Sequence, residues 1–182
     1  MYYVPQGYPY PYYVNVPVYN YGMPPMYMPG PGEFGAPERM GWVQPPMKRQ
    51  QLQLHDYGPD PFVVNIEEAV EQNNTFRTVL WTGKHLQVAV MSIPPREEVG
   101  LEMHPQVDQF IRIEEGQGLV RMGPSQDQLN IERYVNEESA IMVPAGTWHN
   151  VINMGNETLK LYTIYGPPQH PYGTIDMTKA DS

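Results

Sequence analysis

From residue 75 onward, apolar and polar positions alternate with period two. "TFRTVLWTG" and "HLQVAVMSI" are rich in β-branched and apolar residues and break at Gly83-Lys84, which predicts two short strands with a turn between them. "PPREEVG" reads as the next turn. "LEMH", "DQFIRIEEG" and "GLVRMG" follow as short strands, then the loop "GPSQDQLN". "ESAIMVP", "HNVINMG" and "LKLYTIYGPP" complete the set, with "NMGNET" expected as a hairpin turn. Ahead of the strands, "NIEEAVEQNN" switches to helical spacing. Ile66, Ala69 and Val70 share one face, Asn65 is placed to cap the first turn with Glu68 as its capping-box partner, and Asn73-Asn74 end the element. Many short strands with turn residues every eight to twelve positions predict a small all-β barrel or sandwich. The chain has no internal repeat of fixed period.

Before the helix the alternation is absent. Residues 1–32 contain no charged side chain but hold nine of the 14 tyrosines and eight of the 21 prolines. Proline fixes φ and removes backbone donors, so neither helix nor sheet propagates, and polyproline II or disorder is expected. Two readings of this arm stand side by side: a flexible leader, or an adhesive, cross-linkable segment. Residues 33–61 continue as a linker. Order is expected to begin near Phe62. The organisation expected is therefore an arm and linker over 1–61, a β domain over 62–172 and a tail over 173–182.

Charge and composition narrow the function classes. The net charge of −9 comes from the chain after residue 32. Clustered Lys and Arg are needed to neutralise phosphates, so nucleic acid is not an expected partner, and an anionic membrane surface is disfavoured for the same reason. The absence of cysteine removes disulfides, thiolate metal sites and cysteine nucleophiles, and fits a cytoplasmic protein. "MYYVPQGYPYPYY" has no basic region and no unbroken apolar run, so it does not read as a secretory signal. No apolar stretch approaches the roughly 18–20 residues of a membrane span. There is no glycine-rich phosphate loop and no nucleophilic triad at recognisable spacing.

The candidate chemistry lies in two segments. In "GLEMHPQVDQF", alternation along a strand would put Glu102 and His104 on one face, a carboxylate and an imidazole pointing together, with Gln109 and Gly116 beyond. In "VPAGTWHNVIN", Pro144 and Gly146 make a tight turn and His149 opens the next strand. Together these segments resemble the two motifs of the cupin superfamily, Gly-x5-His-x-His-x3–4-Glu-x6-Gly and Gly-x5-Pro-x-Gly-x2-His-x3-Asn. The second is matched at Pro144, Gly146, His149 and Asn153, with Glu138 at its leading glycine. The first is matched at His104 and Gly116, with Arg96 at its leading glycine and Glu102 at its first histidine. Its glutamate position falls on Gln109 if Gly116 sets the register, or on Asp108 with the shorter spacing. The likeness covers about residues 62–172. Glu-x-His followed by "DQF" is similar to small single-domain bacterial cupins, many named mannose-6-phosphate isomerase-like, a label of fold analogy that establishes no reaction.

The resemblance implies a double-stranded β-helix, a jelly-roll barrel, holding a divalent transition metal (Mn, Fe, Ni or Zn). Glu102, His104, Gln109 and His149 would be its ligands, and Asp108 the alternative to Gln109. Two imidazoles and a carboxylate with open positions serve non-haem iron oxygenases and hydrolytic zinc sites. The implied function is a metal-dependent enzyme on a small molecule, isomerase-like or dioxygenase-like, with no general base identifiable and with a homodimer as an implied assembly. The alternative from the sequence is a metal-free binding or structural protein, in which His104 is a hydrogen-bonded core histidine and residues 1–32 meet partners in a spore coat or cell-surface layer. Of the other candidates, His55 falls in the linker, His85 on a strand surface or rim, and His170 in a loop that could close over the barrel mouth. Trp148 and Phe110 adjoin ligand positions and either pack in the core or line a pocket at the metal.

Overall fold

The computed structural model of the protein describes residues 51–182. The expected arm over 1–32 and the linker up to residue 50 lie outside the described residues. The described part begins earlier than the pattern suggested. Leu52, Leu54 and Tyr57 pack with Phe62, Val64 and Ile66 into a cluster around buried Ala69, Val70, Leu80 and Val90. Residues 51–61 are thus part of the fold and not a linker, because their apolar side chains close one face of a sheet.

Helix α1 runs Ile66–Gln72. Asn65 caps it, accepting from the Glu68 amide, and Ala69 and Val70 are fully buried. The strands are β1 (Arg77–Thr82), β2 (Gln87–Ile93), β3 (Asp108–Glu115), β4 (Gln117–Gly123), β5 (Ile131–Asn136), β6 (Ala140–Val143), β7 (Trp148–Asn153), β8 (Leu159–Gly166) and β9 (Ile175–Asp176). A six-stranded sheet has the order β6-β3-β8-β2-β1-β9, and a three-stranded sheet the order β5-β4-β7. All pairings are antiparallel. Between the sheets lies the main core, in which Met91, Ile93, Ile111, Ile113 and Leu161 meet Val120 and Val151. Strand β8 shows the division most simply: Leu159, Leu161, Thr163 and Tyr165 are buried inward, while the residues between them are half-buried. Strand β2 is buried on both faces, since α1 and the segment before it cover Val90 from outside.

Three expectations are corrected. "NMGNET" is not a hairpin turn: β7 pairs with β4 and β8 with β2 and β3, so this segment carries the chain from one sheet to the other. Asn153 holds that crossing, donating to the carbonyls of Ile93 and Glu157 at 2.8 Å each and accepting from the Gly155 amide. "LEMH" is not a strand. Residues 97–102 run antiparallel beside β7 through separate bridges, Glu98 with Ile152 and Glu102 with His149. Strand β5 was absent from the pattern, because "IERYVN" is almost wholly exposed and shows no buried alternate positions.

The expected tail is also folded. Strand β9 pairs with β1, and Asp176 forms a buried ion pair with Arg77 at 2.7 Å. Buried Asp56 fastens the same region: its carboxylate accepts from the amides of Gly58 and Gly173 and from the Thr82 hydroxyl, while its carbonyl accepts from the Tyr172 hydroxyl.

Candidate metal centre

The centre is assembled from a loop and a strand. Glu102 and His149 exchange both backbone hydrogen bonds, at 3.0 and 2.9 Å, which sets their side chains next to one another. After Glu102 the chain passes His104 and turns at Pro105-Gln106, and the His104 carbonyl accepts from the Gly146 amide at 2.8 Å. Gly146 has φ +79°, the left-handed turn its place between Pro144 and His149 requires. The two sequence motifs are therefore bonded to each other through backbone at both ends of the site.

The side chains converge. The Nε2 atoms of His104 and His149 lie 3.4 and 3.3 Å from Glu102 Oε1, and the three ligand atoms all fall within 4.8 Å of one another. Both imidazoles are buried and Glu102 is mostly so. His149 Nδ1 is 3.0 Å from the Thr147 carbonyl, which only accepts, so Nδ1 carries the proton and the Nε2 lone pair faces Glu102. A carboxylate facing such a lone pair is repulsive unless positive charge lies between them. None of the three converging atoms has a hydrogen-bond partner. Two donor atoms each about 2.1 Å from a common ion stand roughly 3.0–3.4 Å apart at octahedral or tetrahedral angles. The two separations from Glu102 fit that spacing, and a divalent cation would satisfy all three orphaned atoms. Burial by itself raises the Glu102 carboxyl, and only positive charge on the imidazole side, a proton or a cation, lowers it again.

The site opens on a cavity of about 570 Å³, lined by Glu102, His104, Arg77, His170, Thr174 and Asp176 among others. Buried Tyr165 packs behind two of these lining residues. Its ring lies edge-on to His104 at 5.8 Å and to His170 at 5.1 Å. Burial first, and then the Glu102 charge, push the Tyr165 phenol up to about 12.

A cupin domain model matches residues 89–165. The chain is 56% identical over its whole length to the uncharacterized protein YrkC of Bacillus subtilis (strain 168), covering 97% of that protein. The chain belongs to the cupin superfamily. Another relative, the uncharacterized protein L612 of Acanthamoeba polyphaga mimivirus, is 42% identical over 122 residues, which is 66% of this chain and 74% of that one. A crystal structure of BH2720 from Bacillus halodurans is 59% identical, with a TM-score of 0.69, and covers 70% of this chain and 96% of that one.

In this cupin, Gln109 lies on the inward face of β3, paired across the ladder with Tyr165. Its amide nitrogen donates to the Thr163 hydroxyl at 3.0 Å, and its Oε1 is buried without a partner. Asp108 is on the opposite face. It is exposed and accepts from the Ala145 amide at 2.9 Å, so it is not a ligand. The turn at Pro105-Gln106 breaks the alternation that would have put it in line with His104. Trp148 and Phe110 do not border the cavity, since each follows or precedes an inward residue on its strand and so points outward. Phe110 packs at 6.1 Å from Tyr162 in an outer groove with Leu86, Met142 and Ile164. His55 and His85 are exposed. His170 does face the cavity, as a loop closing over the barrel mouth would bring it. Desolvation, followed by the nearby Arg77 charge, lowers it to about 4, so it is neutral at ordinary pH.

Sequence reasoning missed Arg77, Tyr165 and Asp176. The available signal was Arg77 itself, the one full charge in the otherwise apolar "FRTVLW", which needs a buried partner if the strand is central. The two missing motif glycines are also explained. Arg96 and Glu138 both have φ 68°, so the left-handed turns survive with side chains that disfavour them.

Proposed function

We propose that this cupin is a metal-dependent enzyme acting on a small molecule within the Arg77–His170 cavity. The observation that carries the reading is the convergence of three buried, unpartnered ligand atoms, from Glu102, His104 and His149, at the inner end of that cavity. Glu102, His104 and His149 would hold the ion, with Gln109 Oε1 as a fourth, weaker donor. A divalent ion held this way supplies a Lewis acid with positions open to substrate or O2, which suits isomerase-like or oxygenase-like chemistry. Glu102 offsets one of the ion's two charges. Thr147, through Nδ1, keeps His149 in the tautomer that offers Nε2. Tyr165, neutral and buried, excludes water behind His104, and His170 presents a neutral imidazole to whatever enters.

Elemental analysis of the full chain purified without chelator is expected to give about one divalent transition metal per molecule. Ligand at 100 times its dissociation constant stabilises a fold by about 2.7 kcal/mol, so stripping the metal should lower the melting temperature measurably. His104→Ala and His149→Ala should each abolish both metal content and that shift. Glu102→Gln should weaken binding strongly, and Gln109→Ala should weaken it while leaving some metal. Full metal content in His149→Ala, or wild-type affinity in Glu102→Gln, would refute the assignment.

A second reading concerns residues 1–32, where nine tyrosines and no charge suit adhesion to other proteins better than solvation. On this reading the arm fixes the cupin domain to a coat or surface layer while the domain works as above. Comparing the location and the turnover of the full chain with those of a chain lacking residues 1–46 separates the two roles.

A further inference from the structure

We infer that Arg77 is an anion-recognition residue, and that the cavity takes a small monocarboxylate carrying a second oxygen, hydroxyl or carbonyl, for the metal. This deepens the metal-centre reading and rests on it.

Among the described residues, Arg77 is the only Lys or Arg lining the cavity that Glu102 and His104 share. It comes from β1, on the opposite side of the site from the loop that supplies Glu102. Its side chain is 4% exposed, yet only part of its donor capacity is used within the protein. Nη1 donates to Asp176 at 2.7 Å, while Nε is buried with no partner. A buried donor left unpaired is costly, and a structural ion pair would not need this residue at the edge of a cavity. His170 Nε2, on the same wall, is also buried without a partner. Arg77 Nε can only donate, and the neutral His170 ring offers either a donor or an acceptor, so the two unpaired nitrogens beside the metal ligands mark a place for a ligand's polar atoms, with an acceptor at Arg77.

Charge selects the class of ligand. At the inner end of the cavity Asp176 neutralises Arg77, and Glu102 cancels one of the two charges of a divalent ion, so that end of the loaded site carries one net positive charge. A monoanion balances it; a neutral sugar or a dianion does not. Asp181, at the rim, keeps its charge while accepting from the Thr178 amide and hydroxyl at 2.8 and 2.9 Å, but it is exposed, so solvent screens it from the inner end. The planar guanidinium suits a carboxylate, and the metal suits a hydroxyl or carbonyl oxygen, so the two ends of one small acid are recognised by different chemistry.

The test uses the full chain loaded with Mn(II) and titrated calorimetrically with lactate and with its neutral isostere lactamide. Lactate should bind at least about tenfold more tightly than lactamide. Arg77→Gln should lose that preference while keeping its metal content. Because this change strands the buried Asp176, the double variant Arg77→Gln/Asp176→Asn is measured beside it and should behave alike. Asp176→Asn alone frees the guanidinium and should tighten lactate by about tenfold, opposite in sign to any loss caused by poor folding. Equal binding of lactate and lactamide by the loaded wild type, binding of neither, or an intact preference in the double variant would overturn the inference. Failure of the wild type to take up Mn(II) would instead overturn the metal-centre reading, and this inference with it.

Discussion

His170 lines the cavity from the loop the sequence singled out, and its neutrality has a consequence for stability. Its folded value of about 4 lies below the ordinary 6.5, so protonation favours the unfolded chain. The stability it contributes is complete above about pH 6.5 and is lost as pH falls toward 4. In metal-stripped protein, denaturant titrations at pH 7, 6, 5 and 4 should show this decline, and His170→Gln should flatten it. An equal decline in the variant would assign it to other groups. At this scale the sequence was most legible where a role depends on near neighbours. Asn65 capping Glu68, and His149 following the Pro144–Gly146 turn, are local facts. Arg77 meeting Asp176 across 99 positions is not, because nothing near either residue names the other. Asp108 and Gln109 show the opposite failure: adjacent residues on opposite faces, distinguishable only once the point where β3 begins is known.

Among the elements, the turns that flank the motifs carry a measurable strain. Arg96 and Glu138 occupy left-handed backbone at φ 68°, which costs L-residues about 1–2 kcal/mol, partly offset by the entropy a glycine would bring to the unfolded chain. Arg96→Gly and Glu138→Gly should therefore each stabilise the protein by about 0.5–1 kcal/mol, read as a higher melting temperature with metal content unchanged. A lower melting temperature in either would mean that its side chain contributes more than the turn costs. Gly116→Ala should act in reverse, since φ is +92° and the new Cβ would meet Leu159 Cα at 3.1 Å. Most strands were legible because one face of each is buried and the alternation records it. Strand β5 was not, as Ile131, Glu132, Arg133 and Tyr134 are all exposed. The β7–β8 connection was misread for a related reason: turn residues report a reversal of the chain, not which sheet the next strand joins.

For the molecule as a whole, the limits of the fold were the part the pattern placed worst. Residues 51–61 offer only the short alternation Gln-Leu-Gln-Leu before Gly and Pro, and 173–182 none, so they read as linker and tail, yet each buries groups that the β sheets leave uncovered. A chain beginning at residue 62 should lose about 3 kcal/mol or more relative to one beginning at 47, because Leu52, Leu54 and Tyr57 no longer cover Leu80 and Val90. Ending the chain at residue 172 should cost about 3–5 kcal/mol, since Arg77 is left buried without Asp176. Equilibrium denaturation of the three shortened chains checks both, and stability equal to the longer chain's would return either segment to the status of linker or tail. Asp56 links these two ends, clasping Gly173 across 117 positions while its neighbour Tyr57 is bonded to the Leu80 carbonyl. The clasp works as a mechanical coupling. A pull at residue 51 meets the Leu52 amide's bond to Gln72 and then this group of short bonds, which delivers it to residues 172–173, next to the cavity wall at His170. Tension on that end of the chain would reach the mouth of the metal centre as directly as it reaches β1.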